Sequence, residues 1–139
     1  MSWKVKVKGM KELEREIDKV ANEMKDALQM GTEEAANSVA SIVRSNAPAG
    51  PTGNLQGAVE TKPLPRRDGL PEVTMVGLNY NKAPHQALIE FGTGPRYHAS
   101  GKYVGQMPAQ PFFRRSIDGA RGLIKNRIEE RARGPIKRR

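Results

Sequence analysis

The sequence predicts an α+β fold, in which a small, mostly antiparallel sheet of three or four strands packs against a long N-terminal helix and a C-terminal helix. Apolar residues recur every three or four positions near both ends of the chain and alternate with polar residues in parts of the middle. With 139 residues, 37% of them hydrophobic, the chain fits one domain with a single core. We assign residues 1–133 to this domain and residues 134–139 to a flexible basic tail.

A short strand is predicted at the N-terminus. Trp3, Val5 and Val7 alternate with Ser2 and three lysines, which is the pattern of a strand with one buried and one solvent-facing side. After Gly9 the period changes to that of a helix. The apolar residues on one stripe of this helix are Leu13, Ile17, Val20, Met24 and Leu28.

The helical pattern continues beyond Gly31, which interrupts the apolar stripe. Thr32, followed by two glutamates, is a plausible new helix start, because its hydroxyl can cap free amides and carboxylates suit the positive helix end. Val39, Ile42 and Val43 extend the stripe. One kinked helix or two consecutive helices fit equally well, ending before Pro48.

The middle of the chain predicts strands and turns. Two prolines and two glycines in residues 47–53 predict a loop, and a strand is expected through Leu55, Gly57, Val59 and Thr61. Residues 63–71 are predicted to be an exposed connection, and residues 73–80 a second strand. Ala87, Ile89 and Phe91 fit either a third strand or a short helix that begins near Pro84.

Residues 92–110 predict a long loop, which is either functional or ordered only on assembly. Pro111 suits the first residue of the C-terminal helix. Its apolar stripe consists of Phe113, Ile117, Ala120, Ile124 and Ile128.

The net charge of +9 is concentrated in the C-terminal segment. Residues 1–45 carry 8 basic and 8 acidic side chains, residues 46–108 carry 6 and 4, and residues 109–139 carry 10 and 3. The first third therefore gives no reason to expect contact with nucleic acid.

Other function classes find little support in the sequence. The chain has no cysteine, which excludes disulfides and Cys-based metal sites and fits synthesis in a reducing bacterial cytoplasm. No apolar run approaches the ~20 residues of a membrane span, and the N-terminus lacks the apolar core of a signal peptide. His85 and His98 belong to no metal-binding or catalytic pattern, and neither Gly50 nor Gly92 begins a phosphate-binding loop. We predict no catalytic residue, metal or cofactor.

Three short segments stand in an informative order: APAGPTGNL at residues 47–55, EFGT at 90–93 and MPAQPFF at 107–113. Together with the long N-terminal helix before them and the helix after them, they resemble the tail-component family of lambdoid long-tailed bacteriophages. Each motif alone is weak, but the ordered set is fairly specific, and the resemblance covers nearly the whole chain.

The resemblance implies a structural virion protein of the head-to-tail neck or tail-completion group, made in the host cytoplasm. Such a protein would assemble as a homo-oligomeric ring, often six-fold, that joins the head connector to the tail. Its partners would be other phage neck and tail proteins, with non-specific contact to DNA in the channel and none to a membrane. No cofactor or catalytic residue is implied.

The three segments also hold the candidate contacts with neighbouring subunits. Glu90 follows an apolar run, so if half-buried it needs a partner, such as an arginine of the same or an adjacent subunit; a solvated Glu90 is the alternative. Phe112 and Phe113 cannot both point inward, so one is expected in the core and the other at a contact. The candidates are Pro51, Thr52, Gly53, Leu55, Glu90, Phe91, Gly92, Thr93, Pro111, Phe112 and Phe113. Tight turns at Gly53 and Gly92 are the plain alternative.

Basic residues support a competing function, sequence-independent DNA binding. The candidate DNA-channel contacts are Arg121, Lys125, Arg131, Lys137, Arg138 and Arg139. Basic and aromatic residues also interleave in the 92–110 loop, at Arg96, Tyr97, His98, Lys102 and Tyr103. Docking of the tail on an acidic protein neighbour, and a tail that is merely solvated, remain open alternatives.

Overall fold

The computed structural model describes residues 8–65 and 73–137 and confirms the α+β class. The two long helices are α1 (Met10–Asn46) and α4 (Phe112–Lys137), which pack against each other. Between them lie the short helices α2 (Asn54–Gly57) and α3 (Gln86–Phe91) and the strands β1 (Val59–Pro63), β2 (Thr74–Leu78), β3 (Arg96–Tyr97) and β4 (Tyr103–Gly105). The expected N-terminal strand lies outside the described residues.

The N-terminal helix is continuous rather than broken. Gly31 lies where α1 touches α4, and a Cβ there would be 3.2 Å from the Cβ of Arg131. Thr32 caps no new helix, because its hydroxyl donates to the carbonyl of Gln29 one turn back. The glycine therefore permits close packing of the two helices and does not end α1.

Within residues 8–65 and 73–137, the sheet that packs on α1 has two strands where three or four were expected. β1 and β2 form one antiparallel pair that packs on α1, and β3 and β4 form a separate hairpin within the 92–110 segment. Leu55 and Gly57 belong to α2 and not to the predicted strand, because Gly53, in the left-handed conformation with φ 62°, turns the chain into a single helical turn.

Residues 86–91 take the helical alternative. A strand would place Ala87, Ile89 and Phe91 on one face, but the helix turns Glu90 inward and leaves Phe91 exposed. At the other end of the chain, α4 continues to Lys137, so residues 134–137 are helical where a flexible tail was expected to begin.

The core lies where the second half of α1 meets β1, α2 and the first half of α4. It is built mostly of small side chains on α1, which allow the neighbouring elements to approach closely. The buried cluster is Val39, Ala40, Val43, Ala47, Leu55, Ala58, Val59, Ala83, Phe112 and Ala120. The first half of α1 extends beyond this core, with Leu13 and Ile17 exposed.

Candidate functional site

The three sequence segments of the resemblance meet at the start of α4. This region, formed by residues 46–55, 89–93 and 107–116, is called the motif junction below. Each segment is tied to another by specific hydrogen bonds or by burial in the common core.

Glu90 holds the start of α4. One carboxylate oxygen accepts the backbone N–H of Phe113 and the other accepts that of Arg114, both at 3.0 Å. The first amides of a helix have no partner inside the helix, and a carboxylate also suits the positive end of the helix dipole. Glu90 is 9% exposed, so it is more than half-buried, and its partners are backbone amides and not the arginine side chain that we had suggested.

Gly92 and Thr93 fasten the EFGT segment to the MPAQPFF segment. The N–H of Thr93 donates to the carbonyl of Met107 at 2.8 Å, and the N–H of Met107 donates to the hydroxyl of Thr93 at 3.0 Å. Gly92 has φ 72°, and a Cβ there would lie 2.7 Å from both the nitrogen of Ala109 and the carbonyl oxygen of Met107. Only glycine fits this close crossing of two backbones.

The APAGPTGNL segment joins the junction from the end of α1. The side-chain amide of Asn46 donates to the hydroxyl of Ser116 at 2.9 Å, and that hydroxyl donates to the carbonyl of Phe112. Leu55 and Phe112 are both buried in the core cluster. The loop is closed by the amide of Gln56, which donates to the carbonyl of Ala47.

The candidate contact residues therefore divide into three groups by their exposure. Leu55, Glu90 and Phe112 are buried within the fold, where they hold the junction together and offer no surface to another molecule. Gly53, Gly92, Thr93, Pro111 and Phe113 are partly buried. Pro51, Thr52 and Phe91 are exposed, and Phe91, at 71%, is the most exposed large apolar side chain among the described residues. Of the two adjacent phenylalanines, Phe112 is the core residue.

The 92–110 segment presents an aromatic hairpin. Tyr97 and Tyr103 stack edge to face across β3 and β4, with ring centres 5.6 Å apart. Both rings and the neighbouring Val104 are more than half exposed. The turn is closed by the N–H of His98, which donates to the carbonyl of Lys102 at 2.7 Å. The hairpin thus exposes apolar and aromatic surface to solvent.

Three candidate DNA contacts on α4 have carboxylate partners. Arg121 bonds Asp118 at 2.9 Å, and Lys125 lies 3.7 Å from Glu129. Arg131 reaches across to α1 and makes two hydrogen bonds to Glu34. Lys137 is the last residue of α4, and Arg138 and Arg139 lie outside the described residues.

A cavity of about 570 Å³ lies between α1 and the end of α4. It contains the Glu34–Arg131 pair, and the hydrogen bond from Arg131 holds the pKa of Glu34 below its ordinary value. Within residues 8–65 and 73–137, no three His, Asp or Glu side chains gather as a metal site would need. The same residues include no helix with the length and apolar character of a membrane span.

Neither a protein-family model, nor a curated protein, nor a solved structure matches this chain.

Proposed function

We propose that the chain is a structural subunit of the head-to-tail junction of a long-tailed bacteriophage, in the neck or tail-completion group, and that it assembles as a ring. The observation that carries this proposal is the motif junction. The three segments of the resemblance are far apart in sequence, yet they interlock around the start of α4 through Glu90, Gly92 and Thr93. Segments that build one structural unit have a physical reason to occur together and in order.

The exposed apolar surface supports an assembly role. Large apolar side chains are exposed at many positions of the described chain, and three groups of them lie on the first half of α1, near Phe91 and on the aromatic hairpin. Apolar surface of this kind on a small soluble protein marks sites of protein contact. The residues are Met10, Leu13, Ile17, Leu88, Phe91, Tyr97, Tyr103 and Val104.

The geometry of the junction favours a structural role over a catalytic one. Glu90 is the buried carboxylate of this site, and both of its oxygens are occupied by backbone amides of the same subunit. An acid or base needs a free oxygen directed at a substrate. The proposal accordingly assigns no catalytic residue and no cofactor.

The test is the mass of the purified protein by light scattering over a range of concentration and salt, with negative-stain images of any large species. The proposal expects closed rings of one mass. Phe91→Ser should shift the assembly midpoint to at least tenfold higher protein concentration, because it removes an exposed apolar contact. Ile136→Ser is the matched control, since Ile136 is also exposed but lies at the end of α4. A monomer at every concentration would contradict ring formation by this chain.

The second candidate, sequence-independent DNA binding, is favoured by one observation. Helix α4 carries 8 basic and 3 acidic residues, a balance of +5. It predicts that the monomer binds duplex DNA with an affinity that falls steeply with salt. Arg121→Gln with Lys125→Gln, at two of the candidate DNA contacts, should then weaken binding at least tenfold and reduce the salt dependence, whereas Lys11→Gln with Lys19→Gln on α1 should not. Tight DNA binding by a protein that forms no rings would put this candidate first.

A further inference from the structure

One edge of the β1–β2 pair is open. At one end of the pair the N–H of Asn79 donates to the carbonyl of Ala58, and at the other end the N–H of Leu64 donates to the carbonyl of Val73. In an antiparallel pair the hydrogen-bonded residues alternate, so on β2 the residues that bond to β1 are every second one between Val73 and Asn79. The backbone groups of Thr74, Val76 and Leu78 therefore point away from β1. No other strand of the described chain pairs with this edge.

A trough runs along the open edge of β2. One cavity of about 360 Å³ lies between β2, α1 and α4, and a second of about 430 Å³ lies between β2, α3 and the start of α4. Val76 lines both, so they join along the strand. The walls are mostly apolar, and include Val73, Ile117, Ile124, Ile128 and Phe113.

An open strand edge beside an apolar trough fits an added strand. The edge offers backbone hydrogen bonds, and the trough accepts every second side chain. The matching segment must therefore alternate apolar and polar residues. Residues 2–7 of this chain do so, with Trp3, Val5 and Val7 on one side and Ser2, Lys4 and Lys6 on the other.

The same subunit cannot supply this strand to its own trough. The near end of the trough is lined by Thr32, and at a rise of ~1.5 Å per residue α1 places Thr32 roughly 35 Å from Gly9. The eight residues before Gly9, even if fully extended, reach at most about 29 Å from it, which is less than the distance from Gly9 to Thr32. A strand over residues 3–7 would lie still closer to Gly9, because its last residue, Val7, is only two residues before Gly9. The strand must come from another copy.

We propose that residues 2–7 of one copy add as a third strand to β2 of a second copy, with Trp3, Val5 and Val7 in the trough. The exposed stripe at the start of α1 supports this exchange. This stripe directly follows residues 2–7 in sequence, so it would pack against the second copy together with the added strand. Its exposed residues are Met10, Leu13 and Ile17. The inference deepens the proposed ring and rests on it for the presence of a second copy, since the strand would be the link between neighbours.

The chain contains no cysteine, so engineered cysteines report the exchange directly. In the added strand, Lys4 and Lys6 lie on the face of the sheet opposite the trough, which is also the face of Met75. Paired residues on neighbouring strands have Cα atoms within the ~4.4–6.8 Å that a disulfide needs. Equal amounts of the full-length Met75→Cys variant and of Lys4→Cys or Lys6→Cys are mixed and oxidised mildly. We expect a covalent dimer of the two variants, and the better of the two lysine positions gives the register.

Ser41→Cys replaces Met75→Cys in the control mixture, because Ser41 is exposed on α1 and does not line the trough. Its mixtures should stay monomeric on a denaturing gel. If the Ser41→Cys mixtures give as much covalent dimer as the Met75→Cys mixtures, the exchange is overturned. It is also overturned if the Met75→Cys mixtures assemble but form no disulfide with either lysine variant. An internal bridge within the monomeric double variant Lys6→Cys/Met75→Cys would also overturn it, because the strand would then serve its own subunit.

A second pair of variants separates the exchange from the proposed function. Val5→Ser with Val7→Ser removes two of the three apolar side chains from the trough and should weaken self-association at least tenfold. Lys4→Ser with Lys6→Ser on the outer side should keep self-association within threefold. Intact rings from the valine variant would overturn the strand exchange and leave the ring proposal standing. Crosslinked pairs that never close into rings would overturn the ring proposal and leave the strand exchange standing.

Discussion

The carboxylate of Glu90 accepts the backbone N–H of Phe113 at 3.0 Å, and this bond joins the end of α3 to the first turn of α4. The same carboxylate accepts the next amide, that of Arg114. A side chain 23 residues earlier in the chain thus caps a helix that begins after Gln110 and Pro111, neither of which has a side chain suited to a local cap.

Replacing Glu90 should destabilise the subunit. Glu90→Ala leaves two amides at a partly buried helix end without an acceptor, and we expect a loss of about 1–3 kcal/mol in the free energy of unfolding. Glu90→Gln keeps one acceptor oxygen and should lose less. Urea unfolding measures both, with Glu130→Ala, at an exposed position of α4, as the control. If Glu90→Ala is no worse than the control, the cap does not stabilise α4.

Gly92→Ala should also be destabilising, for a steric reason. The new Cβ would lie 2.7 Å from two backbone atoms of the 107–109 segment, and φ of 72° is strained for any residue with a Cβ. We expect a loss of about 1–3 kcal/mol, measured by thermal or urea unfolding. Gly94→Ala is the matched control, because a Cβ there meets nothing within 4 Å. Equal stability of the two variants would argue against the close crossing.

The long elements could be predicted from sequence because their apolar periodicity extends over many turns. The α+β class and both long helices follow from it, as does the strand at residues 74–78. Short apolar runs do not carry enough periodicity, so the region of Leu55 was wrongly assigned to a strand and residues 87–91 fitted two structures. Gly31 was misleading for another reason, because it serves a contact with Arg131 on α4, which lies 100 residues later in the chain.

The motif junction could be predicted only in part. A Glu after an apolar run indicated that Glu90 needs a partner, but backbone amides carry no sequence signal. One signal was available: Gln110 and Pro111 precede α4 without a Ser, Thr, Asp or Asn cap, so an acceptor from elsewhere was required. The edge of β2 had no such signal, because an open edge is a property of the sheet and not of one strand.

Two glycines within α4 should be replaceable with a gain in stability. Gly119 and Gly122 are exposed helical residues, and a Cβ at either position meets nothing within 4 Å. Each substitution by Ala should raise the free energy of unfolding of the monomer by about 0.5–1 kcal/mol, because alanine loses less backbone freedom in a helix. Unfolding at a concentration below assembly measures this gain. A loss of stability in both variants would contradict the helical assignment, and a gain with loss of rings would place this surface at a subunit contact.

The pair between Glu34 on α1 and Arg131 on α4 should give the subunit a dependence on acid pH. The hydrogen bond from Arg131 lowers the pKa of Glu34 from its ordinary value of 4.5, so this carboxylate stays ionised to lower pH in the folded chain than in the unfolded one. The resulting stabilisation is complete above about pH 4.5 and is lost as the pH falls through the lowered folded pKa. Glu34→Gln should therefore be less stable than the parent at pH 7 and equal to it in strong acid.

Urea unfolding from pH 7 down to pH 2.5 measures this convergence. Glu33→Gln is the control, because Glu33 accepts a hydrogen bond from Gln29 within α1 and does not reach α4. The two partners are partly exposed, at 38% and 45%, so the difference at pH 7 should shrink with added salt. A difference between Glu34→Gln and the parent that stays constant across this pH range would show that the side chain acts through packing and that its charge contributes nothing to the contact between α1 and α4.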